Sequence, residues 1–234
     1  MTPVVVADPG ALAEAAARWT AERIRRAVAE RDACYLALAG GETPRGCYQR
    51  LAQPPFDQEL RWSQVLLYWS DERRVRLDDP ASNYAMARAA LLDHVPVAAD
   101  HVFPLTQENL PALDRVPKNG AGLPRFDIIH LGIGEDGHTA SLFPGSEALN
   151  ERHAIVRAVD DAPKPPPQRL TLTLPVLNAA RAVLVMVSGA SKREALARVV
   201  RRDPALPASH VQPVDGELEF IVDQAASGRQ ELVS

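Results

Sequence analysis

Short continuous apolar runs alternate along the chain with stretches whose apolar residues recur every three to four positions. A run that is apolar throughout marks a strand covered on both faces, whereas the 3.6-residue period marks a helix packed by one side. Runs at 34–39, 65–69, 126–131, 182–188 and 218–222 are predicted as strands. Asp8 followed by Pro9 reads as a helix start, and Leu12, Ala16, Trp19, Ala27 and Val28 lie on or near one side of a helix predicted to reach about Arg31. Further helices are predicted over 82–94, 175–181 and 190–202. This rhythm predicts an α/β fold, a mostly parallel sheet with helices on both faces.

Prolines at 163, 165, 166 and 167 exclude a helix interior or a central strand, so 162–168 is expected to be an exposed extended loop, with a strand-like segment at 169–174. There is no internal repeat, and acidic and basic residues are interspersed, so residues 1–234 are expected to form a single domain. A chain of 234 residues is long enough to bury a sizeable core, and 46% hydrophobic with 24% charged residues is the composition of a folded globular protein.

The formal net charge of −4 supplies no global basic field to hold nucleic acid or an anionic membrane surface, so an anion site has to be local. No run approaches the roughly 18 apolar residues of a membrane span, and residues 1–10 lack the basic flank and apolar core of a secretion signal. A cytoplasmic location follows as an expectation. Cys34 and Cys47 form no CxxC pair and have no histidine spaced for zinc, so they read as packing residues, with neither disulfide nor metal expected.

Four segments fall where a strand ends and a loop or helix begins, which is where open α/β sheets place ligands. Gly40-Gly41-Glu42-Thr43-Pro44 is a glycine turn able to aim backbone N–H groups at a phosphate, provided the Glu42 carboxylate points outward. Ser70-Asp71-Glu72-Arg73 sets charges directly after a buried strand, where they need partners; Arg73 suits a phosphate or carbonyl, and Asp71 suits accepting a proton or orienting a base. Gly132-Ile133-Gly134-Glu135-Asp136-Gly137-His138 delivers a histidine on a glycine loop with Asp136 two residues earlier, a pair suited to moving a proton near neutral pH. His130, inside the strand, reads as structural. Gly189-Ala190-Ser191-Lys192 places a lysine in a first helical turn, where it opposes the helix dipole unless an anion lies between them, and Arg169 is a further candidate for the same anion.

Ala39 to Pro44, Ser70 to Arg73, Ser82-Asn83-Tyr84, the stretch Gly132 to Pro144, Arg169-Leu170-Thr171 and Gly189 to Lys192 together resemble the 6-phosphogluconolactonase family in order and spacing, over nearly the whole chain. The resemblance implies a modified Rossmann-like fold of the NagB/RpiA/CoA-transferase kind, shared with glucosamine-6-phosphate deaminases. It implies hydrolysis of 6-phospho-D-glucono-1,5-lactone to 6-phospho-D-gluconate without metal or organic cofactor. A monomer or weak homodimer is expected, with a small-molecule sugar phosphate lactone as the partner. His138 matches the general base; Asp136 and Asp71 stand beside it as catalytic candidates from the residue reading alone. Arg73 and Lys192 match residues binding the phosphate or acyl end, and Gly40, Gly41 and Thr43 match the phosphate-facing turn. Glu42 departs from the small hydroxyl residue that is common there. Two rivals share parts of the pattern. A deaminase acting on an amino sugar phosphate carries Phe-Asn-Glu-Pro after the histidine loop, where this chain has Ser141-Leu142-Phe143-Pro144, and a non-catalytic sugar-phosphate sensor carries an appended module for which no stretch remains.

Overall fold

The computed structural model describes residues 2–228. A short strand β1 (Val4–Val6) precedes α1 (Pro9–Arg31), whose start is capped as the Asp8-Pro9 pair predicts: the Asp8 carboxylate accepts the Ala11 N–H at 2.8 Å. α1 buries Leu12, Ala16, Trp19, Ala27 and Val28, the predicted stripe. After it come β2 (Cys34–Leu38), α2 (Glu42–Leu51), α3 (Phe56–Glu59), β3 (Val65–Trp69), β4 (Asp71–Arg73) and α4 (Asn83–Ala90). The second half adds β5 (Ile128–Gly132), β6 (Val156–Val159), β7 (Arg169–Leu172), α5 (Leu174–Ala179), β8 (Ala182–Val187), α6 (Arg193–Val200), β9 (Glu217–Asp223) and α7 (Gln224–Ser227).

Six strands form a parallel sheet in the order β1-β9-β8-β5-β2-β3, flanked by helices. All six positions of β8 are buried, as expected of a strand covered on both faces. The predicted strands all appear, β3 with both ends as expected and the others with one or both ends shifted. The run at 126–131 enters the ladder only at Ile128, because the Asp127 carboxylate accepts the Tyr35 N–H at 2.9 Å and lies 3.2 Å from Arg181 Nε. The helix predicted over 82–94 stops at Ala90, since Leu91 leaves helical geometry and Leu92–His94 is a separate 3₁₀ turn. The helix predicted over 190–202 begins as a 3₁₀ turn, Ala190–Lys192, and the one predicted over 175–181 starts one residue earlier, at Leu174.

A second sheet, β4-β7-β6, is antiparallel and has no signature in the apolar pattern: the charged cluster after β3 pairs as a strand with β7, Asp71 opposite Thr171 and Arg73 opposite Arg169. β1 and β6 also had no counterpart in the sequence reading. Between β6 and β7 the proline segment is exposed apart from Ala162 and half-buried Pro166. Cys34 and Cys47 are buried and free, and burial pushes both thiols up, Cys47 to about 12. Among the described residues, no helix is long and apolar enough to cross a membrane.

Candidate active site

β5 lies between β8 and β2 in the sheet, so the turns that follow these three strands are neighbours at one edge. Together with β4 and β7 they enclose a cavity of about 360 Å³. Gly40, Gly41, Thr43, Asp71, Arg73, His138, Arg169 and Lys192 all line it. Asp136 stands behind His138 instead.

His138 comes from a tight loop closed by Gly134 N–H to His138 O at 2.8 Å and Gly137 N–H to Gly134 O at 3.0 Å. A methyl at Gly134 would meet His138 Nδ1 at 2.0 Å and Asp136 Oδ1 at 2.5 Å, so only glycine lets the ring and carboxylate fold back over the loop. His138 Nδ1 lies 2.5 Å from Asp136 Oδ1. A carboxylate accepts only, so this pair places the neutral ring's proton on Nδ1 and leaves Nε2 as the basic nitrogen. Burial lowers the His138 pKa from its ordinary value, with Asp136 and Asp71 working against that shift and Lys164 adding to it. For Asp136, burial pushes the carboxyl up, but the imidazole's charge and hydrogen bonds prevail and hold it below the usual range. The ring also packs on Phe143, centroids 4.6 Å apart.

The charges after β3 find the partners they require. The Glu72 carboxylate, 1% exposed, accepts the N–H groups of Arg73, Asn83 and Tyr84, each at 2.7 Å, and the Ser82 hydroxyl at 3.2 Å, so it caps α4. Burial still raises its pKa against those hydrogen bonds. Asp71 accepts from Ser141 Oγ at 2.6 Å and Asn83 Nδ2 at 3.2 Å. Arg73 Nη1 donates to Ala81 O at 2.6 Å, while its Nε is buried with no hydrogen-bond partner among the described residues. Arg169 donates from Nε to Pro166 O at 3.1 Å and from Nη2 to Lys164 O at 2.8 Å, tying the proline segment to the cavity rim. Burial works against its charge and Asp71 supports it.

Lys192 stands 3.8 Å from Glu135, and burial lowers its pKa. Its turn is held by Asp223, which accepts from Ser188 Oγ at 2.5 Å and from Gly189 N–H at 3.1 Å. At the glycine turn, Glu42 also lines the cavity; its side chain is 79% exposed and its carboxylate is paired with Arg45 at 2.6 Å, which offsets part of its charge. Gly40 is obligatory for another reason: a methyl there would meet Asn83 Oδ1 at 1.9 Å.

Sequence reasoning gave no role to Asn83, Ser141, Thr171, Tyr48 or Asp223. The first three sat inside quoted motifs. Tyr48 had no local signal; its hydroxyl hydrogen-bonds both Ala39 N at 2.8 Å and Ala39 O at 3.0 Å, just before the glycine turn. His130 is fully buried and 2.9 Å from Thr20 Oγ1, the structural placement expected of it. Among the described residues, no group of three or more His, Cys, Asp or Glu side chains is placed to hold a metal ion.

Residues 7–220 match the family described as glucosamine-6-phosphate isomerases/6-phosphogluconolactonase. A 6-phosphogluconolactonase of Synechocystis sp. is 40% identical over 219 residues, 87% of this chain and 88% of its own length. The Homo sapiens 6-phosphogluconolactonase is 40% identical over 224 residues, 86% and 85% of the two chains. The solved 6-phosphogluconolactonase of Trypanosoma brucei superposes with a TM-score of 0.82 at 29% identity, covering 97% of this chain and 98% of that one.

Proposed function

The chain belongs to the glucosamine-6-phosphate isomerase/6-phosphogluconolactonase family, and on that premise we propose that it hydrolyses 6-phospho-D-glucono-1,5-lactone to 6-phospho-D-gluconate, the second step of the oxidative pentose phosphate pathway, in the cytoplasm. One observation carries the reading: an imidazole whose Nδ1 is engaged by Asp136 at 2.5 Å lines the same cavity as Arg73, Arg169 and Lys192. That arrangement combines a base with an anion-holding rim.

In this mechanism His138 Nε2 takes a proton from water as the water oxygen attacks the lactone carbonyl. Charge gathering on the carbonyl oxygen is stabilised by backbone N–H groups or a guanidinium. When the ring C–O bond breaks, protonated His138 returns its proton to the departing ring oxygen, so no covalent enzyme intermediate forms. Asp136 keeps the ring in the required tautomer and stabilises the transient imidazolium. Asp71 adds a second negative charge near the imidazole. Gly40, Gly41 and Thr43, with the cationic side chains, hold the phosphate and acyl ends. The lactone already hydrolyses in water, so positioning and proton transfer suffice, the latter worth on the order of 10²–10⁴-fold.

The test is proton release in a pH-stat at low buffer, with the lactone generated in situ. Acid production well above the spontaneous rate is expected, with no ammonia released from glucosamine 6-phosphate. Ammonia release without lactone hydrolysis would instead assign the deaminase reaction.

A further inference from the structure

Ser141 lies three residues past His138, is fully buried, and is not among the residues lining the cavity. It nevertheless joins three segments of the site. Its hydroxyl donates to Asp71 Oδ2 at 2.6 Å and its N–H donates to Thr171 Oγ1 at 3.2 Å. The directions are set by chemistry. The Thr171 hydroxyl donates its proton to Leu172 O at 3.0 Å, so its oxygen is left to accept from Ser141, and an ionised carboxylate only accepts. Asp71 and Thr171 face each other across the β4–β7 pairing, so one residue of the histidine loop grips both strands of the small sheet.

On its other oxygen, Asp71 accepts from Asn83 Nδ2 at 3.2 Å, and the same nitrogen donates to Asp71 O at 2.8 Å. Both partners are acceptors, which settles which end of the Asn83 amide carries the nitrogen. The carboxylate therefore has one donor on each oxygen, in a place where Asp71 is only 5% exposed and a hydrogen bond is electrostatically strong.

We propose that Ser141 is a positioning residue: with Asn83 it fixes the Asp71 carboxylate in the wall of the cavity that His138 lines, and so sets how readily the imidazole takes a proton. The Asp71 charge favours the protonated ring, together with Asp136 and against burial. The remaining charged groups are Lys164 on the proline segment, which opposes protonation, and Arg73, Arg169, Lys192 and Glu42, which line the same cavity, with Glu135 paired to Lys192 and Glu42 to Arg45. Glu72, next to Asp71, is committed to the start of α4. Among these groups Asp71 alone is bonded by Ser141. The assignment deepens the proposed reaction and rests on His138 serving as its base.

The experiment is an NMR titration of the His138 imidazole, identified by the signal lost in His138→Gln, in wild type, Ser141→Ala, Asp71→Asn and the double variant. Ser141→Ala is expected to lower the midpoint by roughly half a pH unit, the effect of a neighbouring charge displaced by an ångström or two in a partly wet cavity. In the Asp71→Asn background the same substitution should change nothing further. Turnover of Ser141→Ala should fall about two- to threefold, the Brønsted consequence of a base weakened by roughly half a pH unit, with KM within about twofold. Thermal melting checks the fold. Should Ser141→Ala fail to fold, Ser141→Cys, close in volume and a weaker donor, takes its place with a smaller shift in the same direction. An unchanged midpoint, or an equal shift with and without the Asp71 charge, overturns the proposal. The titration reads Ser141 whether or not lactone is hydrolysed, so an inactive wild type would overturn the proposed function separately.

Discussion

β5 and β8, at the centre of the large sheet, carry one polar side chain between them, His130, whereas β4 and β7 bury Asp71, Glu72, Arg169 and Thr171 in seven residues. The large sheet holds together by removing apolar area from water, which asks only that each strand be apolar and covered. The small sheet does the opposite. Each buried charge costs several kcal/mol unless a partner is supplied, and here the partners are specific: four donors on Glu72, two on Asp71, two carbonyls on Arg169. Apolar burial builds the platform, and satisfied charge builds the chemistry at its edge.

The sharpest contrast lies between two histidines eight positions apart. His138→Ala is expected to lower turnover by about 10²–10⁴-fold with little change in melting temperature, because in the proposed reaction this side chain is the base. A pH-stat assay beside a melting curve checks it, and unchanged turnover removes His138 from the mechanism. The sign of its pH dependence also follows. Burial lowers the His138 pKa, so the basic form persists at neutral pH and the acid limb of kcat/KM should lie below the ordinary histidine value.

Next in size are two deletions that set the sheets against each other. Leu184→Ala, in fully buried β8, should cost about 2–5 kcal/mol in urea unfolding yet leave turnover unchanged at 25 °C. Glu72→Ala should cost about 3 kcal/mol by leaving buried N–H groups without an acceptor, and should also impair turnover, since Asn83 and Asp71 lose their anchor. If Glu72→Ala weakened only stability, the division between platform and chemistry would fail.

His130 yields a smaller effect of opposite character to that of His138. Burial lowers its pKa to about 3, against an ordinary value near 6.5, so the unfolded chain binds the proton more readily. Its contribution to stability is therefore complete above about pH 6.5 and declines as pH falls towards 3, at most about 1.4 kcal/mol per pH unit. Unfolding free energies of wild type and His130→Gln, compared between pH 7 and 4, should show a steeper loss in the wild type. Glu42→Ala closes the series with almost no effect, within about 0.5 kcal/mol in stability and twofold in activity, because the carboxylate is 79% exposed and its pair with Arg45 is a surface one.

The amino-acid pattern alone determined five of the six strands of the large sheet, all but β1, together with the first helix and its cap, the structural role of His130, and the three turns that line the cavity. These depend on local periodicity and on residues adjacent in the chain, which a linear reading sees. Only the tertiary structure decided that the charges after β3 form a strand, that Glu72 caps a helix eleven residues ahead, that Asp223 holds the Lys192 turn, and that Ser141 reaches Asp71 seventy positions away. A buried charge becomes tolerable only where distant donors converge on it, and that convergence exists only once the chain has folded.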